Sequence, residues 1–177
     1  MARRLSLNAR RAHLAGSTEE VEVFLVVIEH PDIGEPMLLS TDNGVTLSTD
    51  PLVYGTRSTW AFGGVEGIRR DFPMVLMSAF APDDQEDTPQ AAQIVVDLVD
   101  RDIVALVRAT TERADVHMAM VLASTPDLVE VEWLGLKLIA ADPDAGQVIL
   151  SMSREPITAE PATAVRMSRD VTPCLHQ

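Results

Sequence analysis

AAQIVVDLVDRDIVALVRATTERADVHMAMVLASTPDLVEVEWLGLKL, residues Ala91–Leu138, reads as strand, helix, strand and strand in close succession. Ile94, Val96 and Leu98 alternate with Gln93 and Asp97, the two-residue period of a strand with one buried face. The period then changes. Asp100 stands at an N-cap position, Asp102 places negative charge in the first turn, and Ile103, Leu106 and Val107 fall at helical spacing. A short amphipathic helix is therefore predicted over Asp102–Thr111. From Ala114 to Ser124 alternation returns, with Val116, Met118, Met120 and Leu122 on one side and His117 on the other. Along Leu128–Ala140 the phase switches: Glu130 and Glu132 hold the even positions first, then Leu134, Leu136 and Leu138 do so. A one-residue bulge near Trp133-Leu134-Gly135 accounts for that switch, as does a strand crossing from one sheet edge to another.

Working outward, Val21–Glu29 is the strongest strand. Val21, Val23, Leu25 and Val27 line one face while Phe24, Val26 and Ile28 make the other apolar too, which predicts a central strand covered on both sides. Pro31 ends it, because proline cannot donate to a ladder. Short strands follow at 36–40, 45–48, 52–54 and 59–62, with Asn43-Gly44 as a hairpin signal and Asp50-Pro51 as a second turn, so a meander is expected. Phe72–Phe80 reads as one further apolar strand. Val148, Leu150 and Met152 alternate with Gln147, Ser151 and Ser153, closing a hairpin after the turn at Asp142–Gly146. The expected organisation is a basic helical arm (1–17), a β-sandwich core (18–154) carrying one flanking helix (101–111), and an extended proline-containing tail (155–177). The fold class is mainly β, two packed antiparallel sheets with that helix beside them.

Charge is unevenly distributed. The 177 residues carry a net charge of −13, against a general nucleic-acid surface, which calls for a dominant basic patch. Yet Arg3, Arg4, Arg10 and Arg11 precede the first acidic residue, Glu19. Ser6 is placed to cap a short helix over this stretch, with Gly16 as its stop and Leu7, Arg10, Arg11 and Leu14 repeating at three and four. Two readings stand for the arm: a solvated attachment, or an element that docks on an acidic neighbouring subunit. Asp83, Asp84, Glu86 and Asp87 form the densest acidic run; it lacks the staggered layout and terminal Glu of a calcium loop, and reads as a solvated loop or a partner for an arginine arm.

Catalytic and metal motifs are not found. Gly63–Gly67 has neither the glycine spacing of a dinucleotide fingerprint nor the Lys and Ser/Thr of a P-loop. His13, His30, His117 and His176 are scattered, and His30-x-Asp32 lacks a further ligand at motif spacing. The single cysteine, Cys174, excludes an intramolecular disulfide. No cofactor and no metal are expected, and no enzymatic activity. The N-terminus lacks the apolar run of a signal peptide, and the longest aliphatic runs, such as Val23–Ile28, fall far below the ~20 residues that span a bilayer.

Several short pieces carry a family resemblance through their order and spacing. They are Val99-Asp100-Arg101, the run Val121-Leu122-Ala123-Ser124-Thr125-Pro126-Asp127-Leu128-Val129-Glu130, His30-Pro31-Asp32, Tyr54-Gly55, Pro82-Asp83-Asp84, Glu155-Pro156 and Thr172-Pro173. Together they make the chain resemble the minor tail proteins of tailed bacteriophages and gene-transfer particles. Such proteins commonly close on an apolar Pro- and Gly-containing tail, whereas this chain ends Val171-Thr172-Pro173-Cys174-Leu175-His176-Gln177. The resemblance implies a tail-tube-like β-sandwich or barrel and a virion structural role: a ring-forming distal tail subunit, hexameric or trimeric, joining the tail tube to the hub or tip. Its implied partners are further copies of itself, the tail tube protein, hub or tip proteins and the tape-measure protein, with assembly in the host cytoplasm. A trimeric hub-type protein and a host-surface-binding module are the alternatives. At 4% aromatic residues the composition is poor for a sugar-stacking platform. Subunit-interface candidates are Arg3, Arg4, Arg10, Arg11, Asp83, Asp84, Glu86 and Asp87.

Overall fold

A computed structural model describes residues 5–31, 34–62, 68–81, 91–97, 113–144 and 147–154. Among these residues one helix, α1 (Leu7–Leu14), precedes ten strands: β1 (Glu22–Glu29), β2 (Met37–Ser40), β3 (Val45–Thr49), β4 (Leu52–Ser58), β5 (Arg70–Pro73), β6 (Met77–Phe80), β7 (Ala91–Asp97), β8 (Asp115–Leu122), β9 (Thr125–Asp144) and β10 (Gln147–Ser153). They form two sheets. Seven strands run in the order β2-β1-β8-β9-β10-β7-β6 and three in the order β3-β4-β5, with every strand pairing antiparallel.

The large sheet curls without closing into a barrel. Laid flat, β2 and β7 would stand five strand spacings apart, about 24 Å. Instead the Val75 amide donates to the Ser40 carbonyl of β2 at 2.9 Å, while the carbonyl of the next residue, Leu76, accepts from the Asp97 amide of β7 at 2.8 Å. Two adjacent residues, just ahead of the edge strand β6, thus join β2 at one edge to β7 beside the other. The concave side holds the larger core, to which all seven strands contribute: Val26, Leu39, Ile94, Val116, Met118, Leu136 and Leu150 are buried there, with Met77 packed against them.

Among the described residues the convex side is covered chiefly over β1 and β8, with Leu38 of β2 and Val129 of β9 at the margin. There Val23, Leu25, Val27, Ala119 and Val121 meet Trp60, Phe62 and Phe72 from the small sheet and its connections. Trp60 packs on Phe62 and Phe72 with ring centroids 5.5 and 6.3 Å apart, the tilted and offset arrangements that aromatic quadrupoles favour. The expectation that β1 is apolar on both faces because it is central is borne out, and β8 shares that position: Ala119 and Val121 face one core, Val116 and Met118 the other. Buried side chains on both faces of two adjacent strands make this pair the centre of the molecule.

Four expectations need correction. Phe72–Phe80 is not one strand: Pro73 ends β5 in the small sheet, Met74 bridges Ser40, and β6 begins at Met77 in the large sheet. Asn43-Gly44 does not close a hairpin, since β2 pairs with β1 and β3 with β4. The corner is held by hydroxyls instead: Ser40 Oγ lies 2.9 Å from Thr56 Oγ1 and accepts from the Asp42 amide at 3.1 Å. The segments at 34–64 are therefore divided between two sheets: β2 joins the large one, and only β3 and β4 run on, with β5, as a short meander. Thr59–Phe62 is not a strand; it is irregular chain whose Trp60 and Phe62 fill the convex core.

The bulge near Trp133-Leu134-Gly135 is present. Val116 pairs with Leu136 and Met118 with Trp133, so two steps on β8 oppose three on β9, and Gly135 takes the left-handed conformation (φ 68°). The Asp50-Pro51 turn joins β3 to β4 through a cis peptide bond, and β9 and β10 form the expected hairpin. The flanking helix (101–111), the acidic run at 82–87 and the tail from 155 lie outside the described residues. No helix among the described residues is long and apolar enough to cross a membrane.

Candidate interaction surface

Helix α1 is fastened to the body at its start, on one side and near its end. Ser6 is the N-cap: its Oγ accepts from the Ala9 amide at 3.1 Å, and its own amide donates to Glu130 Oε2 at 2.7 Å. Glu130 is buried on β9, and its Oε1 has no partner, so the carboxylate is committed to the helix start. The helix N-terminus favours a negative group there. Ala9 is fully packed into the body, and His13 Nε2 lies 3.5 Å from Glu22 Oε1 at the beginning of β1.

That docking decides where the arginines point. Leu7, Arg10, Arg11 and Leu14 recur at i, i+3, i+4 and i+7 and share one helix face. Ala9 lies about 200° round the helix from Leu7. With Ala9 inward, all four residues of the stripe are exposed, Leu7 at 69% and Leu14 at 87%. Of the predicted interface residues, Arg10 and Arg11 are thus brought together on a presented face. Arg3, Arg4, Asp83, Asp84, Glu86 and Asp87 lie outside the described residues.

The run at residues 121–130 anchors two further elements. Ser58 Oγ donates to the Pro126 carbonyl at 2.6 Å, and Asp127 Oδ1 accepts from the Thr59 amide and hydroxyl at 2.8 and 3.1 Å. Arg69 Nη2 stands 3.6 Å from Asp127 Oδ2. The start of β9 therefore holds the small sheet through Pro126 and Asp127, while Glu130 further along it holds α1. Glu130 is the anchor that the sequence reading missed; a carboxylate within an alternating strand reads as solvent-facing, and only the docked helix shows otherwise. Tyr54-Gly55 is likewise structural. A Cβ at Gly55 would collide with the Phe72 carbonyl and stand 2.7 Å from Leu47 Cδ1, so β4 and β5 require glycine there.

A polar line continues the convex face beyond its apolar part. Glu29, Asp115 and Lys137 are register partners across β1, β8 and β9, and Lys137 Nζ lies 2.6 Å from Asp115 Oδ1. His117 Nδ1 accepts from the Gly135 amide at 3.2 Å, which leaves the proton on Nε2, 3.5 Å from Glu29 Oε2. The bulge thus orients the imidazole. An open cleft of about 330 Å³ beside this line is bordered by Glu29, His30, Pro31, Gly34, Pro36 and Asp115. Among the described residues no group of three His, Cys, Asp or Glu is arranged to hold a metal ion. The line reads as charge pairing across the ends of three neighbouring strands.

No protein-family profile and no curated protein sequence matches the chain significantly.

Proposed function

We propose that this chain is a structural subunit of a phage tail tip, forming a ring at the distal end of the tail and joining the tube to the hub or tip. The observation that carries the reading is the architecture: a curled, wholly antiparallel seven-stranded sheet with a smaller sheet packed on its convex side. Tail-tube and tail-tip proteins are built from packed antiparallel sheets. The pieces behind the resemblance also sit at joints of this fold, with Tyr54-Gly55 under β5 and Pro126, Asp127 and Glu130 holding the small sheet and α1.

Such a protein works by geometry and charge, without catalysis. Stiff sheets define a wall, and neighbouring copies or a tube protein abut against it, in hexameric or trimeric symmetry. The four arginines of the first eighteen residues leave ten basic against twenty-seven acidic residues in the remainder, a net of −17. A lumen lined by such a body lets polyanionic DNA pass without adhering.

The test is imaging by electron microscopy with native mass spectrometry, on the purified chain alone and mixed with a tail tube protein from a related particle. Rings of three or six copies, free or capping a tube, are expected. A chain that stays monomeric in both settings and joins no tube overturns the proposal.

A further inference from the structure

The outward face of α1 is an unfinished surface. Leu7 and Leu14 are more exposed than any other large apolar side chain among the described residues, and Arg10 and Arg11 stand between them on the same side. Among the described residues the body does not cover this face, because Ala9, on the opposite side, is the residue packed into it. Turning the stripe inward would undo the Ser6–Glu130 hydrogen bond and expel Ala9.

We propose that the Leu7, Arg10, Arg11 and Leu14 face of α1 docks on the acidic body of a second copy of this chain, and that the contact is heterologous, head to tail. Charge selects the occupant. The arm is purely basic through residue 18 and everything after it sums to −17, so each copy carries both halves of the contact. The same −17 repels nucleic acid and an anionic bilayer from a two-arginine patch. Charge also selects the symmetry. An isologous pairing of α1 with α1 would set Arg10 and Arg11 against their own copies, whereas a helix seated elsewhere on the neighbour meets carboxylates. The Ser6, Ala9 and His13 attachments hold the helix in place before it binds, which lowers the ordering cost of association.

This inference rests on the ring reading and sharpens it, since closed rings beyond the dimer require heterologous contacts. The experiment compares the full-length chain with R10E/R11E and with Leu14→Ser, by sedimentation and native mass spectrometry over a range of concentration and salt. Unchanged melting temperature and circular dichroism establish that the variants fold, as expected for exposed positions. The wild type is expected to assemble beyond the dimer and to weaken with salt. Self-association of R10E/R11E is expected to fall about a hundredfold or more, since like charges at a contact cost several kcal/mol. Leu14→Ser should fall less. In equimolar mixtures R10E/R11E should accept a wild-type helix and extend no further, shortening the assemblies. A wild type that stops at a dimer overturns the heterologous contact. A wild type that stays monomeric alone, or binding of α1 to anionic vesicles in its place, overturns self-docking. Rings formed equally well by R10E/R11E, alone or on a tail tube, remove α1 from the contact and leave the ring reading standing.

Discussion

The β1–β8 pair and helix α1 are both tied to the same body, yet by different physics. Along β1 and β8, Val23, Leu25, Val26, Val27, Val116, Met118, Ala119 and Val121 are all fully buried, on two faces and in two cores. Helix α1 buries Ala9 alone and relies on one capping hydroxyl, one carboxylate and one histidine contact. An eight-residue helix is below the length that is stable in isolation. The centre is held by area, the arm by a few placed polar atoms. Disturbing the first should unfold the molecule, and disturbing the second should loosen the arm and leave the core standing.

The strongest way to break that contrast is at Phe72, fully buried between the sheets. Phe72→Ala is expected to cost about 3–5 kcal/mol, read by denaturant unfolding of the whole chain. Loss of only the small sheet, with the β1–β8 amides still protected from exchange, would show that the two layers are not one cooperative unit. Gly55→Ala comes next. The added Cβ meets the Phe72 carbonyl, backbone that cannot rotate away, so β5 must shift from β4 at a cost of about 1–3 kcal/mol or more.

At the arm, Glu130→Ala leaves the Ser6 amide without its acceptor, a local loss of about 1–3 kcal/mol. Trypsin cleavage after Arg10 and Arg11 should accelerate about tenfold while the melting temperature moves little, because only a local opening is eased. Equal cleavage of variant and wild type would show that the carboxylate does not hold the helix. The smallest effect is expected of Ser6→Ala, about 0.5–2 kcal/mol of helix stability, seen as faster exchange of the Ala9 amide.

Much of this architecture is legible in residue order, for identifiable reasons. The two-sided apolar character of β1 announces a central strand, and the phase switch around Gly135 announces a bulge, because side-chain period is a local property. Ser6 announces α1. What misleads is equally specific. Met74–Met77 continues an apolar run, so Phe72–Phe80 reads as one strand, although Pro73 marks the break between sheets. Asn43-Gly44 has hairpin chemistry but sits where the chain passes between layers, and the Ser40–Thr56 contact that holds this corner spans sixteen residues. The candidate surface divides in the same way. Arg10 and Arg11 stand out as charge before any carboxylate, while Glu130 looks like one more exposed acid.

Local spacing by itself determined the mainly β class, the capped basic helix, the central strand and the bulge, since each depends on residues within a turn or a few strand positions of one another. Only the tertiary structure decided which strands share a sheet, that the large sheet curls until Val75 and Leu76 join β2 to β7, and that α1 turns Ala9 inward and its arginines out. Those outcomes depend on contacts across tens of residues, where competing pairings look alike in sequence and are separated only by the area each one buries.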